Sequence, residues 1–311
     1  MNPLIHFRKI RILPLLSLGV FFALALNTHA QNLYVSVSGA ICGFKCSEFS
    51  GSISEYTPDG MQSTVASGLA RPRGLAFDRS GNLFAAVNRH APPIPQFHGR
   101  ILKFPPLGNQ SVLGNVALSF MEGLITDSGG NVFAMAQSAS STIGDVSNIY
   151  KFAPDGTRML FGSVGIGGFD LALDSAGNLY AAVADEQTIY KFTTNGTRSV
   201  FAGPSEFAEG EFPVGLAFDS SGNLFVSIET FTEPGADSIV YFTPSGARIT
   251  FATGLTFPRG LAFDGSGYLF VAESNPAPDG DILKFAPGGG APTVFASGID
   301  LPEFLTFGPP R

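Results

Sequence analysis

One phrase returns five times along this chain, and it limits the possible folds more than any other feature. Gly74-Leu-Ala-Phe-Asp78 is followed at once by Ser80-Gly81-Asn82-Leu83-Phe84. The phrase recurs from Gly123 to Phe133, from Asp170 to Tyr180, from Gly215 to Phe225 and from Gly260 to Phe270. Its aspartates, Asp78, Asp127, Asp174, Asp219 and Asp264, are 49, 47, 45 and 45 residues apart. A fixed period of this size marks a fold built by stacking one supersecondary unit.

Each unit contains four short apolar runs. In the third they are Leu171–Leu173, Leu179–Val183, Thr188–Phe192 and Arg198–Ala202. Asp-x-x-Gly-Asn joins the first two. Thr194-Asn195-Gly196 joins the last two, as do Pro58-Asp59-Gly60, Pro154-Asp155-Gly156 and Pro244-Ser245-Gly246 elsewhere. Such residues accept the backbone angles of tight hairpins. Each unit is therefore expected to be a four-stranded antiparallel meander. Apolar side chains on both strand faces suit a sheet packed between neighbours, which is a β-propeller blade. With 38 Gly, 22 Pro and 30 Phe, a helix-rich fold is excluded, and 44% apolar residues exclude disorder.

The chain ends fix the expected number of blades. Asn32–Val35 reads as a second strand with no first strand before it, and Ser52–Tyr56 and Ser63–Ala66 complete that unit. Pro302–Phe307 reads as a first strand with no second after it. The expectation is an all-β, six-bladed propeller of four-stranded antiparallel blades, spanning 31–311 as one domain. Its ring is closed by the C-terminal strand joining the N-terminal blade, which leaves no exposed sheet edge at the join.

The phrase Pro-x-Gly-Leu-Ala-Phe-Asp-x-x-Gly-Asn-Leu-Phe-Val, with the following Ile-x-Lys-Phe, resembles NHL-repeat proteins and, more broadly, gluconolactonase-like (regucalcin-type) six-bladed propellers. Val183-Ala184-Asp185 before Ile189-Tyr190-Lys191-Phe192 is the stretch most similar to an NHL repeat. The resemblance covers about residues 32–308. It implies the fold, while function has to be argued from the site.

A propeller has two faces. The short turns fall on one. The variable stretches Ser38 to Gly51, Asn88 to Gly99, Gln137 to Ser147, Glu229 to Asp237 and Glu273 to Gly280 fall together on the other, where binding is expected. The slot before each innermost strand faces the central channel and reads Arg73, Glu122, Phe169, Val214, Arg259 and Glu303, with Asp170 in place of the usual Gly in the third unit. Arg259, Glu303, Arg73 and Glu122 follow one another around an arc with alternating sign. Two roles suit them: an ion-paired ring that locks adjacent blades, or a channel-mouth site for a polar ligand such as a sugar acid or peptide terminus.

The resemblance to gluconolactonases implies one divalent cation in the channel, held by a Glu, Asn side chains and an Asp near these slots, with Glu122 or Glu303 as the Glu. Here two Arg and two apolar residues replace oxygen donors, which opposes a cation such as Ca²⁺. No metal site and no cofactor are expected, and Ca²⁺ enters only with the alternative of a metal-dependent lactonase. Two histidines, His6 and His29, lie in the first thirty residues. His90 and His98 remain, as loop residues, too few for the three-His zinc site of related amidating-lyase propellers. Virginiamycin B lyase-like propellers use a His general base, which leaves His98 as a lone candidate. There is no Gly-x-Ser-x-Gly elbow, and Gly165-Ile-Gly167-Gly168 opens no helix that would cradle phosphate. The five repeat aspartates read as bonding their own turns.

Arg8, Lys9 and Arg11 precede the apolar run Ile12 to Leu26, and Thr28-His29-Ala30 then offers a small residue at the cut and a smallish one two before it. This is the layout of a cleaved secretory signal over 1–30. The run falls short of the roughly 18–20 residues of a membrane span, and no later stretch is long enough. The remainder holds 15 basic against 25 acidic residues, which excludes a nucleic-acid binder. The expected product is a secreted or periplasmic monomer. In that compartment Cys42 and Cys46 are expected to form a local disulfide. Asn109-Gln-Ser111 and Asn195-Gly-Thr197 match the glycosylation acceptor. Taken together, the sequence reads as an exported binding or interaction module. Its partner is a small polar ligand, or a protein or peptide, on the long-loop face.

Overall fold

The computed structural model describes residues 31–39, 50–91, 96–138, 146–230, 235–274 and 280–310. The leader 1–30, Cys42, Cys46 and the interiors of all five variable stretches lie outside the described residues. The rest is almost entirely strand, with one 3-10 turn at Pro204–Glu206.

The first sheet contains β1 (Leu33–Val37), β2 (Gly51–Tyr56) and β3 (Gln62–Leu69). Next come β4 (Leu75–Phe77), β5 (Leu83–Ala91), β6 (Gln96–Phe104) and β7 (Ser111–Val116), then β8 (Ser119–Thr126), β9 (Val132–Ser138), β10 (Ser147–Phe152) and β11 (Arg158–Val164). A further sheet holds β12 (Gly168–Leu173), β13 (Leu179–Val183), β14 (Thr188–Phe192) and β15 (Arg198–Ala202). It is followed by β16 (Phe212–Phe218), β17 (Leu224–Glu229), β18 (Asp237–Phe242) and β19 (Arg248–Leu255). The last are β20 (Pro258–Phe263), β21 (Leu269–Glu273), β22 (Gly280–Phe285), β23 (Thr293–Ile299) and β24 (Pro302–Phe307).

Four sheets have four strands each, and β4 to β11 form one eight-stranded sheet. Its two halves are antiparallel meanders joined by a single parallel bridge, His98 to Ser119, between β6 and β8. The bridge arises because β5 and β6 are longer than expected. Their ladder runs on through Arg89–His98 and His90–Phe97 to Ala91–Gln96. His90 and His98 therefore lie in a hairpin, not in a loop. β24 pairs antiparallel with β1, Phe307 opposite Leu33.

The core lies between sheets. Leu224, Val226 and Ile228 of one sheet interlock with Ala182, Ile189 and Ala202 of the preceding one. Leu33 and Val35 interlock with Phe270, Ala272 and Ile282 in the same way. The Phe closing strand three of a unit, as at Phe152, Phe192, Phe242 and Phe285, is fully buried, each contributing about 1.5–3 kcal/mol. Innermost strands touch in the order β4, β8, β12, β16, β20, β24 and back to β4. They run so close that a Cβ on Gly215 would sit 2.1 Å from the Arg259 carbonyl oxygen. Glycine at that place in the phrase is thus demanded by the convergence of strands on the channel.

Candidate functional site

The slot residues are aimed by a repeated irregularity. Pairing of the innermost strand with its neighbour slips between Met121 and Leu124, Gly168 and Leu171, Pro213 and Leu216, and Pro258 and Leu261. In β24 it slips across Glu303 and Phe304, between the Pro302–Val37 and Leu305–Val35 pairs. Each slip is a β-bulge, which frees two residues from the ladder and re-aims their side chains. Buried polar side chains from the second strand pin the bulges. Asn88 Oδ1 accepts the Met121 N–H at 2.6 Å, and its Nδ2 donates to the Met121 carbonyl at 2.8 Å. Ser227 Oγ accepts the Gly215 N–H at 2.7 Å and donates to the Arg259 carbonyl at 2.9 Å. Ser36 Oγ accepts the Phe304 N–H at 3.0 Å.

The bulges bring the expected charges together at one end of the channel. Arg73 forms ion pairs with Glu303 and, at 3.6 Å, with Glu122. Ser38 Oγ donates to Glu303 Oε1 at 3.2 Å. Arg259 departs from simple alternation: it pairs through Nε with Glu229 at 2.7 Å. The Glu229 side chain is 0% exposed. Sequence reasoning placed Glu229 at the start of a variable loop, whereas it ends the buried strand β17. The signal was present, because Leu-Phe-Val-Ser-Ile-Glu carries the carboxylate directly out of a buried run. The Arg73 guanidinium lies over Phe120 at 5.3 Å and that of Arg259 over Phe169 at 5.6 Å.

Burial raises the Glu122 carboxyl to about 7 against the pull of Arg73, and raises Glu229 to about 7 against Arg259. Asp170, also buried and raised to about 7, has a different partner set. Its Oδ1 accepts the Leu171 N–H at 2.8 Å, and its Oδ2 accepts the Leu216 N–H at 3.0 Å. It thereby fastens β12 to β16. Among the described residues, Glu122 Oε2 and Glu229 Oε1 meet only the Nε atoms of Arg73 and Arg259, without hydrogen-bond geometry, and Glu229 Oε2 has no partner. Next to the cluster, at Asp170 and at Gly260 and Phe304 beside the Arg259 and Glu303 slots, the channel has an open cavity of about 340 Å³. It runs from Asp170 past Leu75, Leu124, Leu216 and Leu261 to Phe218 and Phe307 near the short turns.

Those turns hold the repeat aspartates. Asp78 Oδ1 accepts the Ser80 and Asn82 N–H groups at 2.9 Å, and Asn82 Nδ2 donates to Asp78 Oδ2 at 2.6 Å. Asp127, Asp174 and Asp219 repeat this set. Asp264 repeats its backbone half, with Tyr268 in place of Asn. His98 is half-buried in β6, where it bridges to Ser119 of β8. Among the described residues, no group of three or more His, Cys, Asp or Glu side chains is arranged to hold a metal ion.

Many solved chains share this architecture. A protein of unknown function from Bacteroides caccae superposes with a TM-score of 0.59 at 12% identity, covering 89% of this chain and 98% of that one. The fold is a β-propeller. A catalytically inactive virginiamycin B lyase from Staphylococcus aureus, solved with quinupristin, gives 0.55 at 15% identity over 88% and 86% of the two chains. A structural-genomics protein with the provisional name gluconolactonase gives 0.53 at 18% identity over 71% and 77%. The expected likeness to gluconolactonase-like propellers therefore holds at the level of fold. No protein-family model and no curated protein matches the chain.

Proposed function

We propose that this chain is an exported six-bladed β-propeller that binds a small molecule in its central channel. The eight-stranded sheet counts as two blades, since one parallel bridge joins two complete meanders. With β24 as the innermost strand of the first blade, the ring contains six. The leader-like sequence of 1–30 supports export.

One observation carries the binding reading. Five charged side chains, four from separate strands and Arg73 from the segment before β4, gather beside a cavity lined by Asp170, Gly260 and Phe304 and in the size range of small-molecule sites, about 300–1,000 Å³. A purely structural ring would be expected to close its own hydrogen bonds. The metal-dependent lactonase alternative fits less well, because guanidinium groups contact the carboxylates that would be ligands. Calorimetric titration with CaCl₂ and elemental analysis of the purified protein test this. No heat of binding and no stoichiometric metal are expected. One tightly held divalent ion per chain would overturn the reading in favour of a metal-assisted hydrolase.

A further inference from the structure

The charge count at the cluster end of the channel is unbalanced. Glu122, Glu229 and Glu303 face Arg73 and Arg259, and two further buried carboxylates, Asp170 and Asp237, lie within the same field. Asp170 is occupied by backbone N–H groups. Asp237 Oδ1 accepts from Thr230 and its Oδ2 accepts the Phe257 N–H, each at 2.8 Å. The two arginines rest on Phe120 and Phe169, which restricts their swing toward other acceptors. Glu229, completely buried, keeps Oε2 without a hydrogen bond or ion pair among the described residues, whereas Glu122 Oε2 meets Arg73 at 3.6 Å. Above about pH 7, where Glu122 and Glu229 ionise, these carboxylates accept and do not donate. The missing element is thus a positively charged donor.

Resting on the channel-binding reading above, we propose that the ligand carries a primary ammonium or guanidinium head. The head is held by Glu229, with Glu122 and Glu303 adding negative charge around it, and an apolar body extends down the channel. An ammonium brings three donors and a guanidinium five, enough for the open carboxylate oxygens. An anionic head would meet the acid excess. A bare metal ion would lack the three-carboxylate arrangement it needs. The cavity wall of Leu75, Leu124, Leu216, Leu261, Phe218 and Phe307 is suited to aliphatic carbon.

The experiment compares n-hexylammonium, hexanoate, hexan-1-ol and CaCl₂ by calorimetry and thermal shift on the purified protein, the Glu229→Gln variant and the Glu122→Gln variant. One hexylammonium per chain is expected, with hexanoate and hexanol much weaker and at least a tenfold loss in either variant. Binding should strengthen from pH 6 to 8 as Glu122 and Glu229 ionise, with Arg73, Arg259, Glu303, Asp170 and Asp237 as the charged groups around them. Hexanoate or hexanol binding in preference to hexylammonium would overturn the cationic head and leave the channel-binding reading standing. Hexylammonium binding that neither variant changes would remove the head from this cluster. If no probe bound the wild-type protein, both the cationic head and the channel site would be overturned. The wild-type comparison of hexylammonium with hexanoate decides the matter even if a variant does not fold.

Discussion

Asp170 stands where four other units have glycine, and its two oxygens connect backbone from two blades. Asp170→Asn turns one acceptor into a donor facing an N–H group. It should lower stability by about 1–3 kcal/mol, measurable as a shift in the urea midpoint at unchanged slope. The buried carboxyls also set a pH dependence. Glu122, Asp170 and Glu229 are each raised to about 7 in the folded protein, so between the ordinary carboxyl range near 4 and pH 7 the folded state binds more protons than the unfolded. Stability should therefore fall as pH rises through that window and level off above it. Urea unfolding at pH 5 and pH 8 checks the sign, and Glu229→Gln should flatten the slope. Arg73→Ala removes the partner of two buried acids at once and should cost about 3–5 kcal/mol, read from the same unfolding curves at pH 8.

Within each blade, side chains lock the register. The Lys of Ile-x-Lys-Phe faces the aromatic residue directly opposite on strand two: Lys103 over Phe84, Lys151 over Phe133, Lys191 over Tyr180 and Lys284 over Phe270, at 5.0 to 5.8 Å. In the unit of β16 to β19, one of two without that Lys, Tyr241 stacks on Phe225 at 5.0 Å. Gly215→Ala and Gly260→Ala place a methyl against the backbone of the next innermost strand. Each should cost about 1–3 kcal/mol, whereas Gly246→Ala, with open space around it, is disfavoured only by its positive φ. Calorimetric melting of the three variants would separate packing from conformation. Strand positions were readable in advance because period and turn chemistry are local: β13, β14, β15 and β24 fall on the anticipated residues. The bulges were not readable, since a slipped pair is a relation between strands. Glu229 was missed for the same reason, because its partner Arg259 lies thirty residues away in another sheet.

For the whole molecule, the pairing of β24 with β1 ties residues 33–37 to residues 302–307. Ending the chain at Leu301 would expose the inner edge of the first sheet and uncover Leu33, Val35 and Ile299. Such a chain should lose its single cooperative melting transition and aggregate, as checked by calorimetry and size-exclusion chromatography. The bulges also divide labour within the fold. The ladder supplies stiffness, and the slipped residues supply the side chains at the channel end while contributing little to pairing. The positions of Arg73, Glu122, Phe169, Val214, Arg259 and Glu303 therefore behave as a six-letter register written on a constant frame. Under the channel-binding function proposed above, one recognition chemistry could be exchanged for another by rewriting those letters, with the strands beneath left as they are.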